Sequence, residues 1–262
     1  MDPITAKARN SELPPGLSYT ARRDAWYLQP LLVVTILGGF IVYSFYRMFE
    51  NANYEHGNLL SPFYSPNLPH LLPFLPWHYL PTWVSPAMLI LWAPAGFRFT
   101  CYYYRKSYYR SFALDPPGCA VRDPHTKSYR GEAGLFLFQN LHRYLLYAAT
   151  AVVLFLWIDV VLAFIFPDGF GISLGGLLFL LNATLLTAYS FSCHSLRHIV
   201  GGRLDCFSCD FATQAQYKTW KWVSKLNANH MMWAWVSLFS VALADLYVRA
   251  VSAEWIPDVR LI

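Results

Sequence analysis

Ligand-type side chains gather in one stretch of this chain. Cys193 and His194 are followed by His198, and Cys206 and Cys209 close the run, so four or five potential metal ligands fall within seventeen residues. His194 and His198 are four apart and share a face if the segment is helical. Gly201 and Gly202 would then end that helix and let the chain turn back, bringing Cys206 and Cys209 to the same point. Two thiolates with two imidazoles suit a tetrahedral Zn²⁺ or a [2Fe–2S] centre with histidine on one iron, the Rieske arrangement. The usual Rieske spacing, Cys-x-His followed by Cys-x-x-His, is absent, so spacing alone leaves the metal open. A plainer reading competes: cysteine is a small apolar residue, and an Arg-His pair at a helix end can simply meet lipid headgroups. Cys101 and Cys193, taken singly, read as packing residues.

Two further histidines, His142 and His230, fall near the ends of apolar blocks at about the depth of His194. Polar residues there are expensive in lipid and face the bundle interior. Such a pair suits a haem b iron, and a single one suits proton donation to a reduced quinone; the simpler alternative is a hydrogen bond to a neighbouring helix. Asp159 and Asp245 lie deeper. Asp245 has Arg249 one turn on and is expected to pair with it. Asp159 has no local partner and is assigned to a proton path.

The elements that must position these groups follow from composition. Of 262 residues, 56% are apolar, 18% aromatic and only 13% charged, about half the charged share of an ordinary soluble domain. The excess lies in five blocks, roughly 29–46, 83–104, 145–166, 174–195 and 230–250, each near the ~20 residues that cross a hydrocarbon core as helix. The expected fold is therefore all-α, a polytopic five-helix membrane bundle. A cytoplasmic tail of residues 1–28 precedes it, a Pro-rich outer loop spans 51–81, and an outer tail covers 251–262. Seventeen of the 20 Lys and Arg fall in the N-terminal tail and in the 98–143 and 197–225 connections. The positive-inside rule then makes the N-terminus cytoplasmic and the C-terminus external, and the net charge of +5 needs no nucleic-acid partner. All five cysteines come to the cytoplasmic side, where thiols are expected rather than disulfides. The fifth span is preceded by an amphipathic segment starting near Thr213. No repeat points to a transporter, and no Gly-rich phosphate loop points to an ATP-driven machine.

Four passages carry a resemblance. They run from Phe97 through Cys101 to Arg110, from Gln139 through His142 and Arg143 to Tyr144, from Cys193 to Arg203, and from Leu226 to Met231. Together they resemble the membrane-anchor, cytochrome b type subunit of succinate dehydrogenase or fumarate reductase in its single-chain five-helix form. They are most similar to the actinobacterial type, for which a haem-free membrane domain with a Rieske-type [2Fe–2S] cluster is known. The resemblance, not the spacing, favours iron–sulfur over Zn²⁺, with His194, His198, Cys206, Cys209 and Cys193 as the ligand candidates. It implies a bacterial cell-membrane protein that docks the flavoprotein and iron–sulfur subunits on its cytoplasmic face. It further implies electron transfer to menaquinone, with His142, Arg143, Trp222 and His230 as candidates for the quinone site. A haem b anchor of the same complex, or a Zn²⁺-stabilised scaffold without redox role, are the alternatives. A second haem would need ligands from His56, His70 or His78 in the Pro-rich loop.

Overall fold

In the computed structural model of the chain, the described residues are 20–74, 77–79, 81, 83–121, 136–202 and 204–262. Lys7, Arg9, Arg122, Lys127, Arg130 and Arg203, all counted in the charge asymmetry, lie outside them. The principal helices are α1 (Leu28–Glu50), α2 (Pro86–Thr100), α3 (Tyr102–Ser107), α4 (Phe136–Ala163), α5 (Leu174–Phe191), α6 (His194–Gly201), α7 (Phe211–Ala228) and α8 (His230–Ser252). The chain divides into two compact units, Met1–Ile41 with Tyr102–Gly134, and Val42–Cys101 with Leu135–Ile262. In the first, Arg22 donates to the Cys119 carbonyl at 2.8 Å and Thr20 to the Ala120 carbonyl at 2.7 Å. The second unit carries everything discussed below.

Four helices are long and apolar enough to cross a membrane among the described residues: α1, α4 from Asn140, α5 and α8. The 83–104 block behaves differently. Its helix α2 has 15 residues, or about 22 Å at 1.5 Å per residue, less than a hydrocarbon core of about 30 Å. It stops because Cys101 turns to extended backbone at φ −64° and ψ 134°.

The 174–195 block also breaks early, at Phe191, and Cys193 (φ −63°, ψ 139°) becomes the N-cap of α6. The amphipathic segment ahead of the last span is a separate helix. A capping box starts α7: Asp210 accepts from the Thr213 amide at 2.7 Å, while the Thr213 hydroxyl accepts from the Asp210 amide at 3.1 Å. Asn229, at φ −111° and ψ 24°, separates it from α8.

Helix α4 packs against both α2 and α5, and α5 packs against α8. One buried cluster joins α4, α5 and α8 through Val160, Ala163, Phe179, Ala183 and Val248, with Leu59 inserted from the Pro-rich loop. Glycine makes room for that insertion: a Cβ on Gly175 would stand 2.5 Å from Leu59 Cδ1. Small residues at helix contacts serve close approach in lipid, where apolar burial between helices gains little. The Pro-rich loop is therefore built into the bundle, with Leu59, Phe63 and Tyr64 buried, rather than lying along its surface.

Candidate functional site

The helix breaks at Cys101 and Cys193 and the start of α8 at His230 put four ligand-type side chains in one buried place. Cys101, Cys193, His142 and His230 are all buried. His142 Nε2 lies 3.1 Å from Cys193 Sγ, and His230 Nε2 lies 3.6 Å from Cys101 Sγ. The other ring nitrogens are held the same way. His142 Nδ1 is 2.8 Å from the Thr100 hydroxyl, and His230 Nδ1 is 2.6 Å from the Ser192 hydroxyl. Each hydroxyl immediately precedes one of the two cysteines, so each imidazole bridges the hydroxyl of one helix break and the thiol of the other.

The Thr100 and Ser192 hydroxyls are placed to donate to the Gly96 and Tyr189 carbonyls, at 2.8 and 2.9 Å. With the single hydroxyl proton on that carbonyl, each oxygen accepts from the ring, and each histidine carries its proton on Nδ1 with its Nε2 lone pair toward a thiol, the state in which imidazole binds metals. Phe97 stacks on the His142 ring at 4.6 Å between centroids, and Tyr189 stacks on His230 at 5.2 Å. Arg98 donates to the Ala234 carbonyl and to the Ser237 hydroxyl, tying α2 to α8 beneath the site, and lies 4.7 Å over the Tyr189 ring. The Asn227 amide, at 2.6 Å, satisfies the Ser192 carbonyl at the break.

The set fits a metal group by its donor chemistry: two thiols and two oriented imidazoles in a dry setting. It consists of two Cys/His pairs, and among the described residues no three His, Cys, Asp or Glu converge as a single ion requires.

The ligand run expected from the sequence does not assemble. Cys206 and Cys209 are joined to each other as a disulfide, so neither offers a thiolate. His194 and His198 instead line a cleft of about 510 Å³ with Arg197, Gly201, Gly202 and Trp220. The Gly pair does allow a close turn, but it receives the Trp220 indole: a Cβ on Gly201 would meet Trp220 Cδ1 at 2.4 Å. Arg197 lies 5.0 Å over that indole and donates to Ser224 at 2.9 Å. The cleft adjoins the buried site, since the His194 ring stands edge-on to His230 at 6.4 Å.

Of the quinone-site candidates, His142 and His230 belong to the buried pairs, while Arg143 and Trp222 are exposed. Cys101 and Cys193 are buried in the core, as packing residues are, and each follows a hydroxyl residue, Thr100 and Ser192, that bonds a histidine.

Asp245 corrects another expectation. It does not pair with Arg249; Arg47 from α1 reaches it at 2.9 Å, and Tyr43 donates to it at 2.5 Å. Ser61 completes the cluster, and Arg249 pairs with Glu50 at 2.9 Å. A fully buried carboxylate needs a fully buried cation, and Arg47 is one. Asp159 is buried, as a polar residue in a span should be, and its Oδ2 has no hydrogen-bond partner.

These features define a polytopic helical membrane protein with a buried Cys/His constellation at one end of its bundle. The family model described as actinobacterial succinate dehydrogenase subunit SdhC matches residues 28–254, and the chain belongs to that family. It is similar to a chain of the Mycobacterium smegmatis Sdh1 complex in the apo form, at 39% identity, with 96% of each chain covered and a TM-score of 0.82. No curated protein sequence matches it. The chain is thus a membrane subunit of a succinate dehydrogenase complex.

Proposed function

We propose that the chain is the anchor on which the flavoprotein and iron–sulfur subunits dock, and that it passes electrons to menaquinone through a Rieske-type [2Fe–2S] centre. Cys101, Cys193, His142 and His230 are the ligands in this reading, in place of His194, His198, Cys206 and Cys209. The observation that carries it is the pair of buried imidazoles, each with Nδ1 beside a hydroxyl and Nε2 beside a thiol from the opposite helix break. When bound, the cluster supplies a one-electron carrier whose histidine ligands raise its potential above that of all-cysteine centres. Thr100 and Ser192 orient the ligands, while Phe97 and Tyr189 wall them from water.

The His194 cleft takes the quinone headgroup. His194, His198 and Arg197 bring N–H groups to its carbonyl oxygens, with Trp220 as one wall of the cleft. A haem b is less well supported, because each imidazole turns its Nε2 to a thiol. In the bilayer, α2 serves as the fifth crossing beside α4, with the N-terminus in the cytoplasm.

The test is the metal content and spectrum of the intact complex. Cys101→Ser and Cys193→Ser should each remove the Rieske-like low-temperature electron-resonance signal and stop succinate-driven quinone reduction. Cys206→Ser and Cys209→Ser should leave both intact. The reverse pattern, or zinc without acid-labile sulfide, refutes the assignment.

A further inference from the structure

Arg98 sits one turn of α2 ahead of Cys101 and is buried, at 9% exposure. Its guanidinium donates to the Ala234 carbonyl at 3.1 Å and to the Ser237 hydroxyl at 3.0 Å, both on α8. Ala234 is itself one turn past His230, so the cation is braced between the helix positions next to the Cys101/His230 pair. It also lies 4.7 Å over the Tyr189 ring, which stacks on His230 at 5.2 Å with 13° between the planes. These two contacts put the guanidinium carbon no more than about 10 Å from the His230 ring centre, where a unit charge acts strongly in a dry interior.

A cation buried among apolar helices is expensive, and such a residue in a membrane bundle marks function. The helices α2, α5, α4 as far as Ile158 and α8 as far as Ala244 contain no Asp or Glu. The negative charge they bring to this end of the bundle is therefore thiolate charge. In the cluster proposed above, two ferric ions, two sulfides, two thiolates and two neutral imidazoles carry no net charge between them. One electron from the iron–sulfur subunit leaves a single negative charge there, with no bond made or broken and no proton required. Where water is excluded, the charge that offsets it must be built into the protein beforehand.

We propose that Arg98 is the positioning residue for that electron: its fixed positive charge favours the reduced form and raises the potential at which the Cys/His site accepts an electron. Arg98 acts this way on the reading that the Cys/His pairs hold the cluster. The bonds to Ala234 and Ser237 keep the guanidinium in place, so no reorientation is needed when the electron arrives.

Redox titration of the electron-resonance signal in the intact solubilised complex reads the effect without turnover, with iron content per complex measured alongside. Arg98→Met should make reduction about tenfold less favourable, the factor a unit charge about 10 Å away gives at an effective dielectric constant of about 20, or a fall of about 59 mV for one electron. Arg98→Lys keeps the charge and should hold the midpoint near the parent's. Ser237→Asp leaves Arg98 in place but sets a carboxylate against it, and should lower the midpoint as Arg98→Met does. Ser237→Asn, of the same size without the charge, should not. The two Ser237 variants keep the test decisive if Arg98→Met fails to assemble. A parent-like midpoint in an assembled, iron-containing Arg98→Met or Ser237→Asp complex overturns the role of Arg98 and leaves the cluster assignment standing. A midpoint lowered equally in Arg98→Lys or Ser237→Asn overturns it as well, because shape and not charge is then at work. A parent complex with no Rieske-like signal overturns both.

Discussion

The hydroxyls beside the two cysteines allow a sharp test of how the buried site is held. Thr100→Val keeps the shape of the side chain and removes the oxygen that accepts from His142 Nδ1 at 2.8 Å. An N–H left unsatisfied in a buried setting costs about 1–3 kcal/mol. The ring escapes that cost by moving its proton to Nε2, which then points at Cys193 and is no longer a ligand. On the proposed assignment the site then loses about 1–3 kcal/mol of metal affinity, roughly the 10- to 100-fold range observed when outer-shell partners are removed. The assay is iron retained per complex after a timed chelator challenge, read with the electron-resonance signal and quinone reductase activity. Thr150→Val is the control. Thr150 sits on α4 and donates to the Leu146 carbonyl at 2.8 Å, the same kind of bond Thr100 makes to Gly96, but among the described residues no imidazole bonds to it. If Thr100→Val retains iron as well as Thr150→Val, the tautomer argument is wrong.

Asp245→Asn should lower the thermal stability of the purified complex, because it removes one of the two carboxylates that pair with the buried Arg47 and leaves Glu50 as the other, at a cost of about 1–3 kcal/mol. An unchanged melting profile refutes the buried cluster. Gly201→Ala places a methyl against the Trp220 indole, and overpacking of about 1–3 kcal/mol should loosen the α6–α7 hairpin and raise protease cleavage near residues 204–210. Cleavage rates equal to the parent's contradict the contact. At the other end of the bundle, the Arg260 guanidinium beside Asp168 holds that exposed carboxyl below the usual carboxylate range. A depressed folded value means the contribution is fully present above the ordinary carboxylate range, near pH 4, and is lost as pH falls through the folded value. C-terminal proteolysis of the parent should therefore stay flat from pH 8 to 5 and rise below about pH 4, and Asp168→Asn should remove that acid step; a step of equal size in the variant refutes the pairing.

Much of the fold was legible because apolar length is a local property. The blocks at 29–46, 174–195 and 230–250 each contain a long helix, and the charges that bound them are visible in the chain. The 83–104 block was harder to read. Nothing in its hydropathy announces the turn to extended backbone at Cys101, and the same is true at Cys193. Those two breaks cut apolar runs where composition alone continues, and they are where the site forms. His142 and His230 were recognisable as interior polar residues, since lipid penalises them. Their true neighbours were not, because the contacts join residues 51 and 129 positions apart.

The chain's residues by themselves determined that it belongs in a membrane and which histidines must turn inward. Solvent sets these, and the information lies within single segments. Tertiary structure alone decided which cysteines face those histidines. Local spacing favoured Cys206 and Cys209, but they sit three apart in a loop and close on each other. Cys101 and Cys193 read as packing residues in the sequence, and helix packing brings their thiols to Nε2 of His230 and His142. A Cys/His constellation drawn from α4, α8 and the breaks after α2 and α5 exists only once those helices pack, because no segment holds more than one of its members.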